Sequence, residues 1–277
     1  MRIYIIIISM LFFSSILSNA QQFRTPRPSP DATVSQMVGI TKITVDYSSP
    51  AVKGRKIWGE LVPYDKVWRT GANEVTSITF STPVKVNGND LPAGTYGIHI
   101  IPGIQDWQII FSGDTKVDDP SDYDKSKDKL TIKVKPAENT FTERMAFTIT
   151  DMDENSANVN LIWERIKVSF SVNAATQNLV LESARNLNVW SDLNSAATYC
   201  LQNKINLDEG FRWIQASTLI NENYWNLRIK AQYLAGMNHN DEAIAAMEKA
   251  IDYGSKMDSQ PFDFDNMKKM LTEWKSK

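Results

Sequence analysis

The sequence predicts an α+β chain of two domains, an antiparallel β-sandwich or open barrel followed by an all-α helical array. Three observations predict it. Apolar and polar residues alternate from Thr33 to Val172, the period of strands with one face on a core. Turn chemistry interrupts the alternation at Asn87-Gly88, Pro92-Ala93-Gly94 and Pro102-Gly103, as hairpins require. After Asn173 glycine and proline become scarce and the apolar spacing turns helical almost to Lys277.

The first element, residues 1–20, reads as a signal peptide. Arg2 precedes an apolar run from Ile3 to Leu17, and Ser18-Asn19-Ala20 supplies small residues before Gln21. That run of about 15 residues is shorter than the roughly 20 a spanning helix needs. The expectation is cleavage after Ala20, export to the periplasm or beyond, and no stable membrane insertion afterwards. No Cys lies near the junction to carry a lipid.

Residues 21–173 form the expected β domain. Trp107, Ile109 and Phe111 share one face of a strand, as do Leu130, Ile132 and Val134. Val159, Leu161 and Trp163 make another set, and Val168, Phe170 and Val172 one more. With 42% hydrophobic residues the chain can fill a core unaided. Cys200 stands alone, so no internal disulfide forms, and its apolar helical setting predicts a buried, inert thiol. A formal charge of −2 excludes a broad nucleic-acid surface.

Residues 174–277 form the expected helical domain. Asn206-Leu207-Asp208-Glu209-Gly210 recurs as Asn238-His239-Asn240-Asp241-Glu242-Ala243, a period of about 34 residues that resembles the tetratricopeptide repeat. Ala231, Ala243 and Ala250 occupy that repeat's small-residue spacing, with Leu227, Leu234 and Met247 at its larger apolar positions. The first copy departs from the pattern at Thr198, Gly210 and Ser217, and Ser255 stands where proline is usual. A short, degenerate array of about two repeats is expected, with protein or peptide as its partner.

The chemistry gathers between Ser49 and Glu74, a long aperiodic loop of the kind that is often functional. The candidate binding residues are Arg55, Trp58, Trp68, Arg69, Asn73 and Glu74, with His99 from a nearby strand. Arg69 has the fork to clamp a carboxylate, Asn73 suits an amide or hydroxyl, and the tryptophans can stack on a sugar or peptide. A structural role competes and is placed first. In it Arg69 satisfies buried backbone carbonyls, Glu74 neutralises Arg69, and the tryptophans plug the core. His99 alternates with Ile98 and Ile100, which predicts a solvent-facing or groove-lining imidazole.

Nothing else rises to a site. Two histidines and one cysteine exclude a structural zinc centre. Asp122, Asp124, Ser126 and Asp128 are spaced like calcium ligands, but Lys127 and Lys133 replace the glycine and glutamate such a loop needs. Asp151, Asp153 and Asn155 suit a hairpin turn. There is no nucleophile elbow and no glycine-rich phosphate loop. No catalytic residue, metal or cofactor is assigned.

The stretch PRPSPDATVSQMVGITKITVDYSSPAVKGRKIWGELVPYDKVWRTGANEVTSITFS, from Pro26 to Ser81, is similar to the exported bacterial domain-of-unknown-function family 2911. LPAGTYGIHIIPG from Leu91 continues the likeness, which spans roughly Pro26 to Val172. The resemblance implies an extracytoplasmic β domain with no established activity and no catalytic residues to carry over. In some relatives a helical, tetratricopeptide-like tail follows. The expected function is therefore an exported, non-catalytic binding or interaction protein, with a small polar ligand at the β-domain loop. The alternative is an envelope hydrolase or lyase using Glu74 or His99 as acid/base and Arg69 as anion clamp.

Overall fold

A computed structural model describes residues 25–117 and 119–276. The signal-peptide expectation for residues 1–20 lies outside them. The β half contains β1 (Asp31–Val38), β2 (Thr41–Ser48), β3 (Ser77–Phe80), β4 (Val84–Val86) and β5 (Asn89–Leu91). There follow β6 (Gly94–Ile101), β7 (Trp107–Ser112), β8 (Asp128–Val134), β9 (Ala137–Thr150) and β10 (Ser156–Ala174). A six-stranded sheet runs β1-β2-β3-β6-β7-β8 and a four-stranded sheet β5-β4-β10-β9. Every pairing between these strands is antiparallel.

The two sheets close on one core. Ile43, Val45, Ile98 and Ile100 from the larger sheet join Val159, Leu161, Phe170 and Val172 from the smaller. Phe111 meets Phe170 edge-on across the layers, with ring centroids 5.5 Å apart, the offset geometry that aromatic quadrupoles favour. The period-2 patterns predicted from the sequence supply this inner face directly. At the β9–β10 turn Asp153 accepts the N–H groups of Asn155 and Ser156, so its oxygens serve the turn.

His99 departs from expectation. Alternation places it opposite Ile98 and Ile100, yet it is 0% exposed rather than facing solvent or a groove. The physical reason is a second cover. Residues 113–117 and 119–127 lie back on the outer face of the sheet, where the Tyr123 ring packs 5.0 Å from the imidazole. The loop backbone sits directly on Gly97, since a Cβ there would come 2.3 Å from the Asp114 carbonyl oxygen.

Six helices follow among the described residues: α1 (Thr176–Ala184), α2 (Trp190–Asn203), α3 (Leu207–Ile220), α4 (Tyr224–Gly236), α5 (Asn240–Ser255) and α6 (Phe264–Lys275). The starts of α2 and α4, like those of α3 and α5, are offset by about 34 residues. Ala231, Ala243 and Ala250 are all buried, as are Leu227, Leu234 and Met247. Small side chains at that spacing let α4 and α5 approach closely. Cys200 is buried in the neighbouring cluster with Trp213, Ile214 and Tyr233, and burial pushes its thiol pKa up.

Candidate functional site

The segment leading into the site is pinned to the sheet. The Trp68 N–H donates to the Ile100 carbonyl at 2.8 Å, and the Ile100 N–H returns the bond at 2.9 Å. This antiparallel bridge turns Trp68 toward the core with Ile100. By register, Arg69 then lies across from His99 on the outer face. Immediately afterwards the chain leaves the sheet through Thr70, a fully buried β-branched residue at φ 60°. Such a residue in the left-handed region is strained and persists only when its surroundings hold it. They do: the Thr76 hydroxyl donates to the Thr70 carbonyl, and the Trp68 indole N–H to the Gly71 carbonyl at 3.2 Å.

Behind this turn four indoles pack together. Trp58 lies 5.9 Å from Trp68, 4.7 Å from Trp107 and 5.8 Å from Trp163, and Trp68 stacks on Trp163 at 5.9 Å. In front of them is a cavity of about 310 Å³ lined by Arg55, Trp68, Arg69, Pro120 and Trp163, among others. Arg55 is anchored by its own turn, donating from Nε to the Val52 carbonyl at 3.1 Å and from Nη2 to the Ala51 carbonyl at 2.5 Å. Arg69 has no such anchor. Its Nε is buried without a partner, and among the described residues its guanidinium makes neither a hydrogen bond nor an ion pair.

The pairing of Glu74 with Arg69 is therefore corrected. Glu74 is held by Arg27, whose Nη1 and Nη2 reach its two oxygens at 3.0 Å each. That fork keeps the carboxyl below the usual range. Asn73, at φ 58°, donates to the Ser29 carbonyl and the Ser48 hydroxyl, both at 3.1 Å. Arg144 donates to the carbonyls of Ser49 at 3.1 Å and Pro28 at 3.4 Å. Asn73 and Glu74 thus fasten residues 27–29 across the loop and do not line the cavity. The loop carbonyls of Ala51, Val52, Ser49, Thr70 and Gly71 are met by Arg55, Arg144, Thr76 and Trp68, not by Arg69.

His99 belongs to a separate buried cluster. The Tyr123 hydroxyl donates to Asp128 Oδ2 at 2.5 Å, while Asp128 Oδ1 and both His99 ring nitrogens are buried without partners. Burial lowers the His99 pKa, against the pull of Asp128 and Asp114. The Tyr123 hydroxyl is pushed the other way, first by burial and then by its bond to Asp128.

The structure thus brings together Arg55, Trp68 and Arg69 at one cavity, with Trp58 directly behind. Sequence reasoning missed Trp163 and Pro120, which complete the cavity wall from distant strand and loop, and Arg27, which takes Glu74. Trp163 carried a signal, since it reads as an inward residue of its strand. The model of the family described as "Protein of unknown function (DUF2911)" matches residues 29–172. No curated protein and no solved structure matches the chain.

Proposed function

Because the chain belongs to the DUF2911 family, which brings fold without activity, we propose from the site itself that this is a non-catalytic, exported binding protein of the cell envelope. Its β half holds a small polar ligand in the Arg69 cavity, and its helical half offers protein or peptide a surface. One observation carries the reading: a strained, over-determined turn presents a partly buried guanidinium to a cavity, with its Nε buried and without an acceptor among the described residues. Buried polar groups are almost always paired, so an unpaired donor at a pocket is a place where a ligand supplies the pairing.

Two further supports come from the sequence. Export is suggested by the apolar run from Ile3 to Leu17 before Ser18-Asn19-Ala20, and mass spectrometry of the native protein should find a mature end near Gln21. Partner binding by the helices is suggested by their period, close to that of the tetratricopeptide repeat. The hydrolase or lyase alternative keeps one support, the juxtaposition of His99 with Arg69. It loses Glu74 to Arg27, and it needs the Tyr123 loop to lift before His99 reaches any substrate.

The test of the binding reading is thermal melting of wild type and Arg69→Met in a small-molecule extract of the envelope. A ligand at about a hundred times its Kd stabilises the native state by about 2.7 kcal/mol. Wild type should gain stability in the extract while Arg69→Met gains none. Equal behaviour of the two proteins would remove the assignment.

A further inference from the structure

The lining of the cavity also restricts what can fill it, and we infer that the ligand is a small carboxylic acid with a flat, apolar body. This rests on the binding reading above. The first argument is charge. Two guanidiniums, Arg55 and Arg69, line the cavity, and among the described residues no aspartate or glutamate does. Asp119, next to Pro120 but outside the wall, is exposed and offsets part of the Arg69 charge, so the wall itself stays cationic and favours an anion.

The second argument is hydrogen-bond bookkeeping. Among the residues that line the cavity, the buried polar atoms without partners are Arg69 Nε and Trp163 Nε1. Both are donors, and neither can accept. A ligand that only accepts relieves them, whereas an amine or ammonium adds to the surplus. A carboxylate fits the guanidinium fork with two parallel bonds and carries no proton to place.

The third argument separates a carboxylate from a phosphate. Most of the remaining wall is apolar, and Pro50, Pro63 and Pro120 line it together with Trp68 and Trp163. A doubly charged, strongly hydrated phosphate would surrender its water to proline and indole surface with too few donors in return. A planar hydrocarbon body instead buries apolar area against rings and rigid pyrrolidines, while its single charge stays at Arg69. The cavity's 310 Å³ is at the small end of the roughly 300–1,000 Å³ range of ligand pockets, which favours a single ring over a long chain.

The experiment is isothermal titration of the mature chain with benzoate, benzyl alcohol, benzylamine and inorganic phosphate. Benzoate should bind at least tenfold more tightly than the other three. Arg69→Met should lose that preference, binding benzoate and benzyl alcohol alike, and Arg69→Lys should keep part of it. Circular dichroism melts of both variants establish that they fold. Benzyl alcohol or phosphate matching benzoate, or no binding by benzoate, overturns the inference. If the envelope extract still stabilises wild type through Arg69 in that event, the cavity binds something of another class. If the extract does nothing either, the binding reading falls with it.

Discussion

Arg69 and Glu74 lie five residues apart, yet they do not pair, because Glu74 is held by Arg27. Sequence proximity suggested a pair, but the positive φ values at Thr70 and Asn73 turn the chain twice between them. The carboxylate is then met by Arg27 from a segment that no local pattern could place. This geometry makes a direct prediction. Among the described residues Arg69→Ala strands no hydrogen-bonded carbonyl or carboxylate, so it should change stability by less than about 1 kcal/mol. Combined with Glu74→Gln it should be additive within about 0.5 kcal/mol in urea melts, and strong coupling would restore the structural pairing rejected above. His99 makes a second prediction, with a sign. Burial favours its neutral form in the folded state. The resulting stability is complete above the unfolded value near 6.5 and is lost as pH falls below it, by up to about 1.4 kcal/mol per unit. His99→Leu should flatten the dependence of the urea midpoint between about pH 6.5 and 5. A variant as acid-sensitive as wild type would mean that other groups carry the effect.

Strands and helices were legible because their periods are local. The inner faces of β7, β8 and β10 follow the alternation residue for residue, and the helical offset follows the repeat. What local periodicity could not show was the second cover on the larger sheet. Gly97 and Tyr123 reveal the covering loop only once the sheet exists, because neither forms part of a periodic pattern. Gly97→Ala should push Asp114 and the rest of the loop off the sheet, costing about 1–3 kcal/mol and speeding hydrogen exchange across residues 113–117 and 119–127. An unchanged exchange pattern would show that the loop rests elsewhere. The same logic explains a departure from the helical repeat. Gly210 stands where the pattern prefers alanine, and a Cβ there would come 2.1 Å from Tyr233 Oη and 2.9 Å from Cys200 Cβ. That hydroxyl is committed to the Ala197 carbonyl at 2.7 Å, so it cannot swing away without leaving a buried acceptor unpaired. Restoring the preferred residue, Gly210→Ala, should therefore destabilise the helices, and adding Tyr233→Phe should recover part of the loss. A stabilised Gly210→Ala would mean that α3 and α4 adjust more freely than their packing indicates.

At the scale of the molecule the two halves keep separate interiors. The sandwich core contains no helical residue, and the two helical clusters contain no strand residue. Only Ala175 separates the end of β10 from the start of α1, and the Thr176 hydroxyl donates to the Glu154 carbonyl at 2.7 Å across the joint. Residues 25–174 expressed alone should melt cooperatively near the midpoint of the whole chain, and residues 175–276 should retain a weaker transition of their own. A β half that unfolds on separation would show that the helices complete it. The division has an optical consequence. The chain has eight tryptophans, and those of the described sandwich are the four that pack behind the cavity. Rings held this close act as coupled chromophores, sharing excitation instead of absorbing singly. The isolated sandwich should give a paired circular-dichroism band near the indole transitions, undiluted by Trp190, Trp213, Trp225 and Trp274. Trp68→Phe removes one member of the stacked pair and should collapse the band, turning the wall of the cavity into its own spectroscopic probe.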